Sequence, residues 1–172
     1  MGFPSIACIG IVGKSDNLLH ISVFQPHDNN QLEFSLALNS ALDIFELRQR
    51  ETSVDQDFGL LHALDERFAV YGWLTNTKVK LLIIVDLGGK QTPEKFALLV
   101  GLRDSDLKPA FRALQTAYVR LLQNPFYNPE EGDADGKESM CNIKIKDRRF
   151  IAEVNHIGET WAPGVLNLEA LP

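Results

Sequence analysis

Residues 68–85 read FAVYGWLTNTKVKLLIIV, and this stretch decides the fold. Two apolar runs, 68–74 and 79–85, flank the polar tetrapeptide Thr75-Asn76-Thr77-Lys78. Both runs are rich in β-branched and aromatic side chains, which suit a pleated, half-buried surface. A short polar connection between two such runs predicts a β-hairpin. Leu81, Leu82, Ile83, Ile84 and Val85 leave no polar position. A strand of that kind must be covered on both faces, so it is expected at the centre of a sheet.

Upstream of this hairpin the same signal recurs. Residues 6–12 form an apolar run with no basic residue before it, too short for a secretory signal and read as a strand. Residues 14–17 are a polar turn, and 18–24 resume alternation with Leu19, Ile21 and Val23 on one face, giving a first hairpin. Residues 58–64 make a third strand that leads into the central pair. Between these, the period changes. Phe34, Leu38, Ala41, Leu42 and Phe45 recur at helical spacing, which predicts an amphipathic helix over 31–50 with Asn30 as its N-cap.

Downstream, Leu107, Phe111, Leu114, Tyr118 and Leu121 stripe a second helix over 104–124, with Ser105 or Asp106 as cap and Pro109 in the first turn. That helix must stop at Asn124-Pro125, because the residue before a proline is pushed out of the α region. Its exit is NPFYNP (124–129), whose aromatics, like Trp73, are expected to pack. Residues 88–103 read as a loop and 130–139 as an acidic, glycine-containing surface loop. Helical spacing returns at Phe150, Ile151, Val154, Ile157 and Trp161, a third helix over 147–160, after a short extended piece at 141–145. The order β-β-α-β-β-β-α-α predicts a single α+β domain with a five-stranded antiparallel sheet, a longin/profilin-like layout. The domain is expected to span 1–161, with 162–172 as a C-terminal tail.

Composition narrows the function. The chain has 172 residues and a net charge of −6 without a run of Lys or Arg, which speaks against a nucleic-acid or anionic-membrane surface. Cys8 and Cys141 are read as two reduced thiols in a cytosolic protein, since two cysteines make no disulfide framework. Gly13-Lys14-Ser15 is not a phosphate-binding loop: position 8, where that motif needs glycine, is Cys8, and the segment joins two strands. His20, His27, His62 and His156 show no metal-ligand spacing. His62 lies near Asp65 and Glu66, but no nucleophile motif accompanies them. Glu130, Glu131, Asp133 and Asp135 lack the pattern of a calcium loop. No catalytic, cofactor-binding or metal-binding residue is assigned.

The first helix carries a second apolar set. Leu32, Leu36 and Leu47 fall nearly opposite the Phe34/Leu38/Phe45 stripe at about 100° per residue, and Asp43 lies among them. Such a stripe is either covered by the protein's own chain, for which the third helix is the candidate, or kept for a partner.

The segments CIGIVGKSDNLLHI (8–21), SALDIFELR (40–48), YGWLTNTKVKLLIIVD (71–86) and LLQNPFYNP (121–129) resemble, in this order, the sedlin-like small subunits of the TRAPP (transport protein particle) tethering complex, in particular their subunit 2-like branch. The chain departs from that pattern at 96–103, where the loop is enlarged, and beyond Asn155, where it runs longer. The resemblance implies a longin-like fold and a non-catalytic assembly role without cofactor. It implies other TRAPP subunits as partners, a Rab GTPase reached only through the complex, and no nucleic acid. It further implies a cytoplasmic location, peripheral at Golgi and endoplasmic reticulum membranes through the complex. In this family the Asp of the first helix's Leu-Asp pair, here Leu42-Asp43, lies in a partner-facing region, which turns the wheel argument toward a partner surface of Leu32, Leu36, Asp43 and Leu47. The competing reading is a free-standing longin-fold adaptor or small-molecule-binding regulatory domain.

Overall fold

The computed structural model describes residues 4–51, 57–88, 102–127 and 144–163. Strands β1 (Ser5–Val12) and β2 (Leu18–Val23) form the first hairpin, and a 3₁₀ turn (Asp28–Asn30) runs directly into helix α1 (Gln31–Glu51). Strands β3 (Asp57–Ala63), β4 (Phe68–Leu74) and β5 (Lys80–Asp86) follow, then helices α2 (Asp104–Gln123) and α3 (Arg148–Thr160). All strand pairs are antiparallel, in the spatial order β2-β1-β5-β4-β3. This is the α+β, longin-like arrangement that the pattern of elements predicts. The acidic loop, Cys141, residues 96–101 of the expected enlarged loop and residues 164–172 of the expected tail lie outside the described residues.

β5 occupies the middle of the sheet, and Leu81 to Val85 are fully buried. Alternation then sorts the side chains between two cores. Leu81, Ile83 and Val85 face the layer built by α2 and α3, with Ile9 and Ile11 of β1 and Trp73 of β4. Leu82 and Ile84 face α1, with Cys8, Val12 and Val70. One helix therefore covers one face and two helices cover the other. Trp73 stacks on Phe111 of α2, ring centroids 5.8 Å apart and planes at 21°.

Two glycines let α1 settle close to the sheet. A Cβ on Gly10 would come within 2.5 Å of Leu38, and one on Gly72 within 2.5 Å of Phe45 and Leu61. Removing side chains from this layer is correspondingly costly. Leu82→Ala is expected to lower stability by about 2–5 kcal/mol, because the covered site cannot collapse fully around the lost atoms. An unchanged thermal midpoint would contradict the central place of β5.

The structure differs from the sequence reading in local detail. Asn30 does not stand outside α1 as a cap; it closes the 3₁₀ turn, its N–H donating to the His27 carbonyl at 2.8 Å. α2 starts after Arg103, whose N–H donates to the Asp106 carboxylate at 3.0 Å, so Asp106 serves from inside the first turn. Asp147 caps α3 by accepting from the Phe150 N–H at 2.8 Å. The aromatics of the α2 exit part company. Asn124 accepts from the Phe126 N–H through its side chain and from the Tyr127 N–H through its carbonyl. In that tight turn Tyr127 packs on the core while Phe126 is left 91% exposed, contrary to the expectation that both pack.

Candidate partner-binding surface

Among the described residues, several of the polar groups weighed for chemistry serve the structure. Gly13 to Asn17 close a hairpin turn through the Gly13 N–H to the Asn17 carbonyl (2.8 Å), with Asp16 at a φ of 61°. Asp65 accepts from the Arg67 and Phe68 N–H groups at 2.7 Å each, so it shapes the β3–β4 turn instead of serving His62, which is exposed on the outermost strand. Cys8 is buried beneath α1, and burial pushes its thiol far up, away from the reactive thiolate. Among the described residues no group of three or more His, Cys, Asp or Glu is placed to hold a metal ion.

Helix α1 is fixed to the sheet along its inner face and at both ends. Phe34, Leu38, Ala41 and Phe45 are buried in the α1-side core. At its C-terminal end the Arg48 guanidinium donates to the Phe58 carbonyl of β3 at 2.6 Å. At its start, His27 Nε2 is 2.8 Å from Asp86 Oδ2 at the end of β5, and Asp86 is also held by Arg67 through Nε (2.8 Å) and Nη2 (2.7 Å). Sequence reasoning missed this buried cluster, since Asp86 and His27 are distant in the chain and each looks like a loop residue.

The outer face is open. Leu32 is 75% exposed, Leu36 62% and Leu47 60%, and Asp43 is exposed among them. At about 100° per residue these four fall within roughly 60° of arc on α1. α3, the segment of the chain considered for covering them, packs with Phe150, Val154, Ile157 and Trp161 against the opposite face of the sheet. Leu42 and Ile44 flank the stripe and lean on the core. The surface is thus apolar side chains on a rigid rod, with one carboxylate in the middle and a Glu46–Arg50 ion pair (3.9 Å) beside it. What the arrangement presents to its surroundings is exposed apolar area with one charge among it.

Comparison with known proteins agrees with this architecture. Residues 11–158 match the family model described as Sedlin. The trafficking protein particle complex subunit 2-like protein of Dictyostelium discoideum is 33% identical over 157 residues, covering 88% of this chain and 95% of that protein. The proteins of the same name from Taeniopygia guttata and Rattus norvegicus are each 30% identical over 128 residues, covering 71% of this chain and 83% of theirs. Among the described residues no helix is long and apolar enough to cross a membrane. By the extent of the family match and by these relatives, the chain belongs to the sedlin family.

Proposed function

We propose that this protein is a non-catalytic assembly subunit of a TRAPP complex, and that it docks other subunits through the outer face of α1. The relatives are named as subunits of the trafficking protein particle complex. The observation that supports the docking face is the row of three leucines, each 60% exposed or more, on a helix whose other side is fully committed to the core. Burying an exposed leucine of this kind is worth about 1–2 kcal/mol, and interface energy concentrates in a few such residues. Asp43 adds orientation. As part of such a complex the protein serves Rab guanine-nucleotide exchange indirectly, in transport between endoplasmic reticulum and Golgi, from the cytoplasmic side.

Recovery of TRAPP subunits on the tagged full-length protein tests this. Leu36→Glu and Asp43→Tyr are expected to leave the thermal midpoint in place and to reduce recovery about tenfold or more, as loss of a central contact does. Normal recovery with both variants overturns the docking face. A second prediction concerns catalysis: the isolated chain does not accelerate nucleotide release from Rab GTPases, measured with a fluorescent nucleotide. This reading is supported by the side-chain hydrogen bonds of the described residues, many of which serve turns and helix ends. Robust exchange by the protein alone refutes the non-catalytic role.

A further inference from the structure

The exposed row on α1 has a direction as well as a composition. Leu32 and Asp43 are eleven residues apart, and so are Leu36 and Leu47. Eleven residues make three turns at about 3.67 per turn, close to the helical repeat, so the row runs nearly straight along the axis. From Leu32 to Leu47 it extends about 22 Å at 1.5 Å per residue. A row of that length fits an element that lies along α1. A second helix is such an element, because at a shallow crossing angle the side chains of two helices interdigitate over several turns. A strand laid there would turn backbone N–H and C=O groups toward leucine side chains, where they find no partner.

The charges along the row are mostly of one sign. Asp43 stands between Leu36 and Leu47, and Glu33 and Glu46 flank the row, all three exposed. Arg50 lies beyond Leu47, 3.9 Å from Glu46, so those two offset each other. Among the described residues neither Asp43 nor Glu33 takes part in an ion pair. Closing an apolar surface over Asp43 strips water from a carboxylate, which is costly unless a cation meets it. A second copy of this chain does not supply one while covering the whole row. Antiparallel about the midpoint of the row, Leu32 would meet Leu47 and Leu36 would meet Asp43. In parallel, Asp43 would meet Asp43.

We infer that the occupant of this face is a helix of a different chain, about four turns or longer, with aliphatic side chains toward both ends and a Lys or Arg between them that meets Asp43. The inference rests on the docking face proposed above and specifies its partner. The leucines at the two ends supply the apolar area. The single charge pair between them sets the register and rejects helices that lack the cation. A lone polar position fixes alignment in the same way within the apolar seam of a coiled coil.

The test is recovery of TRAPP subunits on the tagged full-length protein, with a series of changes at Asp43 whose folding is checked by thermal melts. Asp43→Glu keeps the charge and is expected to recover subunits within about twofold of wild type. Asp43→Leu extends the apolar row and is expected to reduce recovery about tenfold or more, because the cation of the partner is then buried without its acid. If Asp43→Leu recovers as much as wild type or more while Leu36→Glu still loses the subunits, the basic helix is overturned and the docking face stands. If Leu36→Glu recovers normally, the docking face itself is overturned. A photoreactive p-benzoylphenylalanine in place of the exposed Asn39, one turn before Asp43, locates the occupant in the recovered complex. Adducts are expected on a segment of helical periodicity with Lys or Arg among aliphatic residues. Adducts on an acidic segment, or on a second copy of this chain, overturn the proposal.

Discussion

Leu38→Glu is expected to abolish cooperative folding, whereas Leu36→Glu, two residues away, is expected to melt as the wild type does. The difference lies in what α1 covers. Leu38 is 1% exposed, and its methyl groups fill the space above Gly10, where even a Cβ would be too close. A carboxylate there loses its hydration without gaining a partner, which costs several kcal/mol, and the lost leucine packing adds about 2–5 kcal/mol. Those terms together are comparable with the roughly 5–15 kcal/mol that holds a domain of this size. Leu36 is 62% exposed, and glutamate is as good a helix former as leucine, so its change is expected to stay within about 0.5 kcal/mol. Thermal melts followed by far-ultraviolet circular dichroism distinguish the two. A folded Leu38→Glu with an unmoved midpoint refutes the packing of α1 on the sheet. An unfolded Leu36→Glu makes the outer stripe part of the core.

That contrast was readable in the sequence because it depends on one periodicity within one helix. Phe34, Leu38, Ala41 and Phe45 share a face by spacing alone, and their burial follows wherever the helix lands. The central strand was legible for a similar reason: an apolar residue at every position of 81–85 fits only a two-sided core. Long-range pairing left no such trace. That β1 neighbours β5 is set by register between Ile9 and Ile83 and between Gly10 and Leu82, more than seventy residues apart in the chain. The same holds for Lys80, which is buried and paired with Asp16 of the first hairpin turn. A lysine at a strand end reads as solvated until the fold brings its acid. The exposure of the α1 leucines was within reach of the helical wheel, whereas the role proposed for Asp43 rests on family resemblance.

Asp86→Asn is the second change expected to act strongly, and it acts through two distant segments at once. Asp86 is buried at the end of β5, where its carboxylate accepts from His27, twice from Arg67, and from the Gly88 N–H at 2.9 Å. His27 is itself buried, edge-on to Phe68 at 5.2 Å and to Phe34 at 5.9 Å. Burial pushes the Asp86 carboxyl up, but the hydrogen bonds from Arg67, Gly88 and His27 outweigh it and hold the group below the ordinary carboxylate range. Breaking a buried charge pair by removing one partner costs about 3–5 kcal/mol. Arg67 is 41% exposed and can turn to water, so the loss falls mainly on His27 and the value lies near the low end. The sign of the pH dependence follows. The unfolded chain takes up a proton at a higher pH than the folded one, so the stability from Asp86 is full above the unfolded carboxylate value of about 4 and declines as pH falls through the lower folded value. Urea denaturation is therefore expected to show a lower midpoint for Asp86→Asn at pH 7, and a shallower loss of stability than wild type below about pH 4. Equal midpoints at pH 7, or parallel acid slopes, refute the assignment. Because His27 immediately precedes the turn into α1, the same change loosens the base of the proposed docking helix. Recovery of partner subunits should fall with Asp86→Asn even though its side chain lies away from the outer stripe, and full recovery would show that α1 holds its position without this anchor.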